Sequence, residues 1–328
     1  MIKEAVKHLL GEKNTQRIKR LRDTLTAARA AWRNSAGTFQ TWQEQTARSC
    51  LLQVHSIEKA IAIGNTKYIE NMKYSRLIAS LDELIRFGMS PENFTVKECI
   101  AVIRAALGQV PGHDDDKKAL EDFIMSNDVS PDFRGGAERV PKTELLRHND
   151  FDFGAFVRSR RSVRRFKDKI ISREVIHDII EDAKYYPSAC NRQPCKVYFS
   201  ENPDTLREII NCGINKNLVS GVHDALIVTC DRALLSPAEL NDQEYINGGI
   251  FLAYLLMSIH AHGLGSCLCQ FLQVNSRQDK IRASFGIPKS EVISAFVAIG
   301  ELEDEVNCAC AQRRPTEEIM VNIDGVRV

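Results

Sequence analysis

The spacing of apolar residues changes along the chain, and each change marks a different kind of element. In the first third the spacing is helical. Tyr74, Leu77, Ile78, Leu81, Leu84 and Ile85 recur at i, i+3, i+4 and i+7, with Gly88 as the stop. Leu51, Leu52 and His55 run on into Ile57, Ala60 and Ile61. Thr95-Val96-Lys97-Glu98 has the form of a capping box ahead of Cys99, Ile100, Ile103 and Leu107, and Gly108 and Pro111 close that helix. A shorter helix is expected around Leu120, Phe123 and Ile124.

Between 129 and 150 the periodicity lapses. Pro131, Gly135, Gly136 and Pro141 interrupt an otherwise polar stretch, as in a linker. From Phe151 onward helical and strand patterns alternate. Phe153 to Val157 forms a short helix. Ser172 is placed to cap a helix carrying Val175, Ile176, Ile179, Ile180 and Ala183. Lys196 to Phe199 is a strand, and Asn202-Pro203 opens the next helix. Ala225 to Cys230 and Val292 to Ile299 are continuously apolar, as buried strands are. Glu244 to His262 is a helix apolar nearly all round. Ser266 to Phe271 is a strand or strand-like loop, and a further helix ends at Phe285-Gly286. Ile319, Val321 and Ile323 alternate like a terminal strand. The expected organisation is a helical region over 1–128, a linker over 129–150 and a mixed region over 151–328.

With 328 residues there is room for two domains. A net charge of +1 gives no global field toward nucleic acid or membrane. The apolar run from Gly249 to Ile259 is too short to span a bilayer. Met1-Ile2-Lys3-Glu4 opens no secretory signal, so the ten cysteines read as reduced thiols of a cytoplasmic protein. Cys267/Cys269 and Cys308/Cys310 could in principle bind zinc. Their spacing is not C-x-x-C, however, and the first pair sits in a buried strand, so no metal is expected.

Charge matters locally instead. Arg158, Arg160, Arg161, Arg164 and Arg165 crowd the stretch before Phe166. If the stretch is extended, Arg160, Ser162 and Arg164 share one side, two planar donors flanking a hydroxyl, which suits a terminal phosphate. Taken alone, the stretch also reads as a solvated basic turn or a nucleic-acid patch.

Three further motifs follow in order: Pro187-Ser188-Ala189-Cys190-Asn191-Arg192-Gln193-Pro194; the buried helix with Gly248-Gly249 and Gly263-Leu264-Gly265 at its ends; and Arg313-Arg314-Pro315. With the arginine stretch, this ordered set resembles the nitroreductase family of FMN-dependent oxidoreductases, over about Phe151 to Val321. The resemblance implies an α+β fold with a mixed or antiparallel sheet flanked by helices, preceded here by an all-α region foreign to the family core. It implies FMN as cofactor and NAD(P)H as co-substrate. It also implies ping-pong hydride transfer to an oxidised small-molecule acceptor, such as a nitro compound or quinone, in an intertwined homodimer with FMN at the interface. Carried over residue by residue, Arg160, Arg161, Ser162, Arg164 and Arg313 hold the phosphate and ribityl chain. Pro187, Ser188 and Asn191 approach the flavin from the partner subunit. Leu268, Cys269 and Gln270 belong to a loop near the reactive side of the ring. The segment from Ile319 to Val328 extends over the partner. No catalytic side chain is expected, since the flavin carries the chemistry.

Two departures stand out. Cys195 occupies the usual aromatic position after Gln-Pro, and Ala311 stands where a basic residue is common, with Arg161 or Lys216 as possible compensation. Among residues outside the motifs, Gly248-Gly249 reads as close helix packing and His260 and His262 as partners of the helix end. His55 and Lys59 read as helix dressing, or as a ligand-facing pair if the helical region is a lid. A biosynthetic or dehalogenating flavoenzyme of the same fold, and a flavin-binding protein without turnover, are the alternative readings.

Overall fold

The computed structural model describes residues 41–108, 114–127, 134–214, 219, 221–235, 243–270, 275–309 and 313–324, apart from Asn71 and Lys73, with scattered positions between 14 and 33. Lys216, Phe271, Ala311, Pro111, Pro131 and Cys310 lie outside the described residues.

Among the described residues the first half packs five helices around one core: α1 (Trp42–Ala62), α2 (Thr66–Glu70), α3 (Tyr74–Arg86), α4 (Phe94–Leu107) and α5 (Asp114–Ser126). The positions that set the helical period are the buried ones. Leu77, Leu81 and Leu84 of α3 and Ile100 and Ile103 of α4 are fully enclosed, each stabilising by about 1.5–3 kcal/mol. Thr41 caps α1 in a reciprocal box with Glu44, its hydroxyl accepting from Glu44 N at 3.3 Å while Glu44 Oε2 accepts from Thr41 N at 2.9 Å. The box expected at Thr95 does not form; the cap lies upstream. Asn93 is the cap, its Oδ1 accepting from Thr95 N at 2.9 Å, because Asn93 is extended and its short carboxamide reaches the free amides first. Gly88 closes α3 at φ 95°.

Part of the stretch read as a linker is packed. A Cβ on Gly135 would lie 2.5 Å from Val102 N, so the chain can press onto α4 only with glycine there. The short helices α6 (Lys142–Leu145) and α7 (Phe153–Ser159) follow.

The second half is built on four antiparallel strands, β1 (Cys195–Tyr198), β2 (Asp224–Asp231), β3 (Leu264–Gln270) and β4 (Glu291–Glu301), in the order β1-β2-β4-β3. Successive β2 side chains go to opposite faces. Leu226 and Val228 meet α8 (Arg173–Ala183) and α10 (Gln243–Ala261), whereas Ala225 and Ile227 meet the side of α9 (Pro203–Gly213) and α11 (Asn275–Phe285). Both faces are covered, which is why β2 reads as an unbroken apolar run. A bulge opposite Val228/Thr229 puts Ser294 out of register and lets Ile293 and Ala295 face opposite cores. Ser172 and Asn202 cap α8 and α9 as expected. The alternating tail is not a strand. Thr316–Ile319 is a helical turn, α12, and Ile319, Val321 and Ile323 are 70 to 76 % exposed. The alternation supplies a strand-like pattern, but among the described residues no strand edge is there to pair with it.

Candidate functional site

The arginine segment begins where α7 ends. Arg160 turns extended at the helix cap (φ −61°, ψ 127°) and the chain then runs beside β3, Val163 N donating to Ser266 O at 2.9 Å with Ser162 bridged to Ser266. Two buried side chains anchor it by shape. Val163 fits over Gly265 and Phe166 over Gly300, where an added Cβ would come within 3.0 Å and 2.8 Å of their respective Cβ atoms. These anchors set where the guanidinium groups lie. Arg160 is half-buried near His260, whose imidazole is held below its ordinary range, by burial first and by Arg160 second. His260 also meets Ser159 Oγ at 2.8 Å.

Arg164 and Arg160 both act on the Cys267 thiol. A hydrogen bond from Cys269 is the larger cause of its fall to about 7, with burial opposing and the two guanidinium groups assisting. Both guanidinium groups thus lie near enough to β3 for their charge to reach the Cys267 thiol. Arg161 folds back, Nη1 donating to the carbonyls of Arg158 and Arg160, the latter at 3.1 Å. Arg165 pairs with Glu303 at 3.3 Å. Among the described residues no carboxylate forms an ion pair with Arg160, Arg161 or Arg164.

The loop after α8 is built differently. Cys190, Asn191 and Gln193 all have φ near +50° (51°, 50° and 48°), a conformation that side chains resist unless the surroundings impose it. Hydrogen bonds impose it here. Asn247 Oδ1 accepts from Ala189 N at 3.0 Å, and Ser188 Oγ accepts from Gln193 N at 3.0 Å. Arg192 is only 3 % exposed. Its Nε donates to Ala189 O at 2.9 Å and its Nη1 to Leu234 O at 3.0 Å. Sequence reasoning passed over Arg192 and Asn247. The available signal was an amide in an otherwise apolar helix, next to Gly248, whose own Cβ would lie 2.6 Å from Ser294 Oγ.

These two features sit at opposite edges of the sheet. The loop leads into β1, one edge strand; the arginine segment flanks β3, the other. Three strand spacings, about 14 Å, separate the edges, so one chain does not bring Arg160 and Arg164 together with Ser188 and Asn191. Leu268, Cys269 and Gln270 lie in strand β3 rather than in a loop. Leu268 is 44 % exposed, while Cys269 is turned into the core beside Cys267; of Gln270 only the backbone is described. Arg313 is in the exposed segment before Pro315 and α12.

The helical half meets the loop. Leu51, Val54, His55, Glu58, Phe94 and Glu98 line a narrow cleft closed on its far side by Cys190 and Asn191. His55 Nδ1 lies 3.0 Å from Glu58 Oε2, and Lys59 points to solvent instead of joining it. Burial, and then Glu58, push the Glu98 carboxyl up to about 7.

Residues 157–232, which take in the arginine segment, the loop, β1 and β2, match a family model. The match is to the nitroreductase family. An NADH dehydrogenase of Thermus thermophilus is 24% identical, over 44% of this chain and 84% of that protein. An FMN-dependent nitroreductase of Clostridium difficile aligns at 19% identity and TM-score 0.43, over 52% of this chain and 98% of its own. A nitroreductase family protein of Streptococcus pneumoniae aligns at 18% identity and TM-score 0.45, over 52% of this chain and 100% of its own. The family match thus falls in the second half of the chain.

Proposed function

We propose that the 151–328 half is an FMN-dependent NAD(P)H oxidoreductase that works as a homodimer, each FMN held between two copies. The observation that carries this reading is the arginine segment, in which three guanidinium groups lie beside an edge strand without a carboxylate partner among the described residues. A phosphate with nearly two negative charges fits that donor set. Arg160 and Arg164 take its oxygens from one side, Arg161 and the Ser162 hydroxyl assist, and Arg313 reaches it from the tail. Leu268 offers an apolar surface for a flat ring, and the backbone of Cys269 and Gln270 supplies polar groups along its edge. Pro187, Ser188 and Asn191 come from the second copy, because in one chain they stand at the far sheet edge. Bound FMN supplies hydride transfer from NAD(P)H to an oxidised organic acceptor such as a nitro compound or quinone. The chain's own work is to orient donor and acceptor in turn in one slot, a ping-pong order, and to exclude water.

The surface supports two copies. Helix α10 exposes Tyr245, Ile246 and Tyr254 around Gly249, whose Cβ position meets nothing within 4 Å. The exposed apolar tail Ile319, Met320, Val321 and Ile323 provides a second strip to cover. The helical half, seated against Cys190 and Asn191, acts as a lid that narrows the choice of acceptor; this favours a dedicated acceptor over a broad one. No helix among the described residues is long and apolar enough to cross a membrane, and the free thiols suit a reducing cytoplasm.

Complementation tests this reading. Arg160→Ala/Arg164→Ala and Ser188→Ala/Asn191→Ala chains are each expected to lose FMN binding and NAD(P)H oxidation. Co-expressed, they form mixed dimers with one intact site and recover both in part. Absence of recovery in dimers shown to be mixed would overturn the shared site.

A further inference from the structure

The position taken by Cys195 faces another cysteine. Cys195 on β1 and Cys230 on β2 are direct cross-strand partners. The ladder fixes what kind of pair they are. Asp231 N donates to Pro194 O at 2.8 Å, so Pro194 and Asp231 form the hydrogen-bonded pair and the next pair along, Cys195 and Cys230, is the non-hydrogen-bonded one. Residues so placed have Cα atoms about 4.5 Å apart and side chains directed toward each other, inside the range that a disulfide spans. Both thiols point to the face covered by α8 and α10, and each is hydrogen-bonded to the other. Cys195 is half-buried and Cys230 fully buried.

The two thiols are unequal. The hydrogen bond from Cys230 holds the Cys195 thiol below its ordinary range; burial opposes this and the Tyr186 hydroxyl assists. Cys230 is pushed up by the same bond, by burial and by the nearby Cys195, Glu244 and Asp231. The accessible member is therefore the better nucleophile and the enclosed member the reserve. Both ends of the loop touch the pair. Tyr186, which precedes Pro187, bonds to Cys195 through its hydroxyl, Cys195 N donating to it at 3.3 Å, and Pro194 adjoins Cys195 at the other end.

We propose that Cys195 and Cys230 are a redox-active thiol pair that closes into a cross-strand disulfide and thereby alters the loop carrying Ser188 and Asn191. The partner is a small disulfide. The Cys195 thiolate attacks one of its sulfurs, releasing one thiol and leaving a mixed disulfide on Cys195. Cys230 gives up its proton and attacks the Cys195 sulfur, releasing the second thiol. Two protein thiols are oxidised and one external disulfide is reduced to two thiols. Closure removes the thiol that Tyr186 contacts and tightens the strand ends beneath the loop. The effect on flavin rests on the FMN site proposed above; the covalent step does not.

The experiment uses the full-length, FMN-loaded protein and oxidised glutathione as the probe. Trypsin isolates each thiol, since Arg192 separates Cys190 from Cys195 and Cys230 lies alone between Lys216 and Arg232. Mass spectrometry is expected to show these two peptides joined with the loss of two hydrogens. In Cys230→Ser the Cys195 peptide is expected to carry a stable glutathione adduct, and in Cys195→Ser the Cys230 peptide stays unmodified. No joined peptide, or joining only among other cysteines, overturns the pair. FMN affinity, read by flavin fluorescence, is expected to shift about threefold on oxidation, to return with dithiothreitol, and to stay constant in Cys195→Ser. A joined pair with unchanged affinity would overturn the link to the loop while leaving the disulfide standing.

Discussion

The two edges of the sheet hold their functional groups by opposite means. At the β3 edge the arginine segment is fixed by shape, Val163 against Gly265 and Phe166 against Gly300, and among the described residues Arg160, Arg161 and Arg164 have no carboxylate partner, while Arg165 pairs with Glu303. At the β1 edge the loop is fixed by polar bonds, and its own arginine, Arg192, is consumed internally on two carbonyls. Arg164 and Arg192 both fall within residues 157–232, which match the family model. Burial and partners separate the two: Arg192 is 3 % exposed and bonded to backbone, whereas Arg164 is exposed and, among the described residues, bonded to Ser162 O at 3.4 Å. A motif therefore does not say which of its cations reaches out.

The sharpest way to break this contrast is to remove the cations one edge at a time. Arg160→Ala/Arg164→Ala deletes two charge-assisted contacts, each worth about 1.5–3 kcal/mol, so FMN affinity is expected to fall by about 100-fold or more. Urea unfolding of the FMN-free protein should barely move. Arg192→Ala reverses the pattern. It removes the donor to the Leu234 carbonyl and leaves that of Ala189 only the backbone N–H of residue 192 at 3.2 Å, and it empties a buried site, so stability is expected to drop by about 3 kcal/mol. If the first variant unfolds and the second merely releases FMN, the roles are exchanged. Gly300→Ala probes the shape-fixed edge alone. Its methyl would lie 2.8 Å from Phe166 Cβ, and a loss of about 2 kcal/mol is expected from the overpacking. Gly249→Ala, with nothing within 4 Å, is the control that leaves the monomer intact.

How much of this could be read in advance follows the same divide. Helices and buried strands were legible because each buried face repeats at a fixed period: Leu77, Leu81 and Leu84 announce α3, and the apolar run from Ala225 to Cys230 announces β2. The extended backbone of the arginine segment, which begins at Arg160, was also foreseen, because the arginines crowd between two helical patterns. Arg192 was not legible, because its role depends on carbonyls at Ala189 and Leu234 that only the folded chain assembles. The tail at Ile319 to Ile323 was misread because alternation specifies a strand only where an edge waits for it. The cap moved from Thr95 to Asn93 because two good capping residues lay two positions apart and the local turn chose between them.

The smallest effect tests a place where the helical half meets the loop. Glu98 lies in the cleft against Cys190 and Asn191, with Glu58 and His55 facing it from α1. Its carboxyl is pushed up to about 7, by burial first and by Glu58 second, whereas in the unfolded chain a glutamate titrates near 4.3. The folded state thus binds this proton more tightly. The associated stability is complete below about pH 4.3 and is lost as pH rises toward 7. With its partial exposure discounted, the loss is about 1–2 kcal/mol between pH 5 and pH 7.5. Glu98→Gln removes the titration. The difference in unfolding free energy between variant and wild type, measured across that range, is expected to grow in the variant's favour as pH rises, while other titrating groups such as Asp224 cancel. A flat difference would mean that Glu98 ionises freely and that the helical half rests on the loop without a charge of its own at stake.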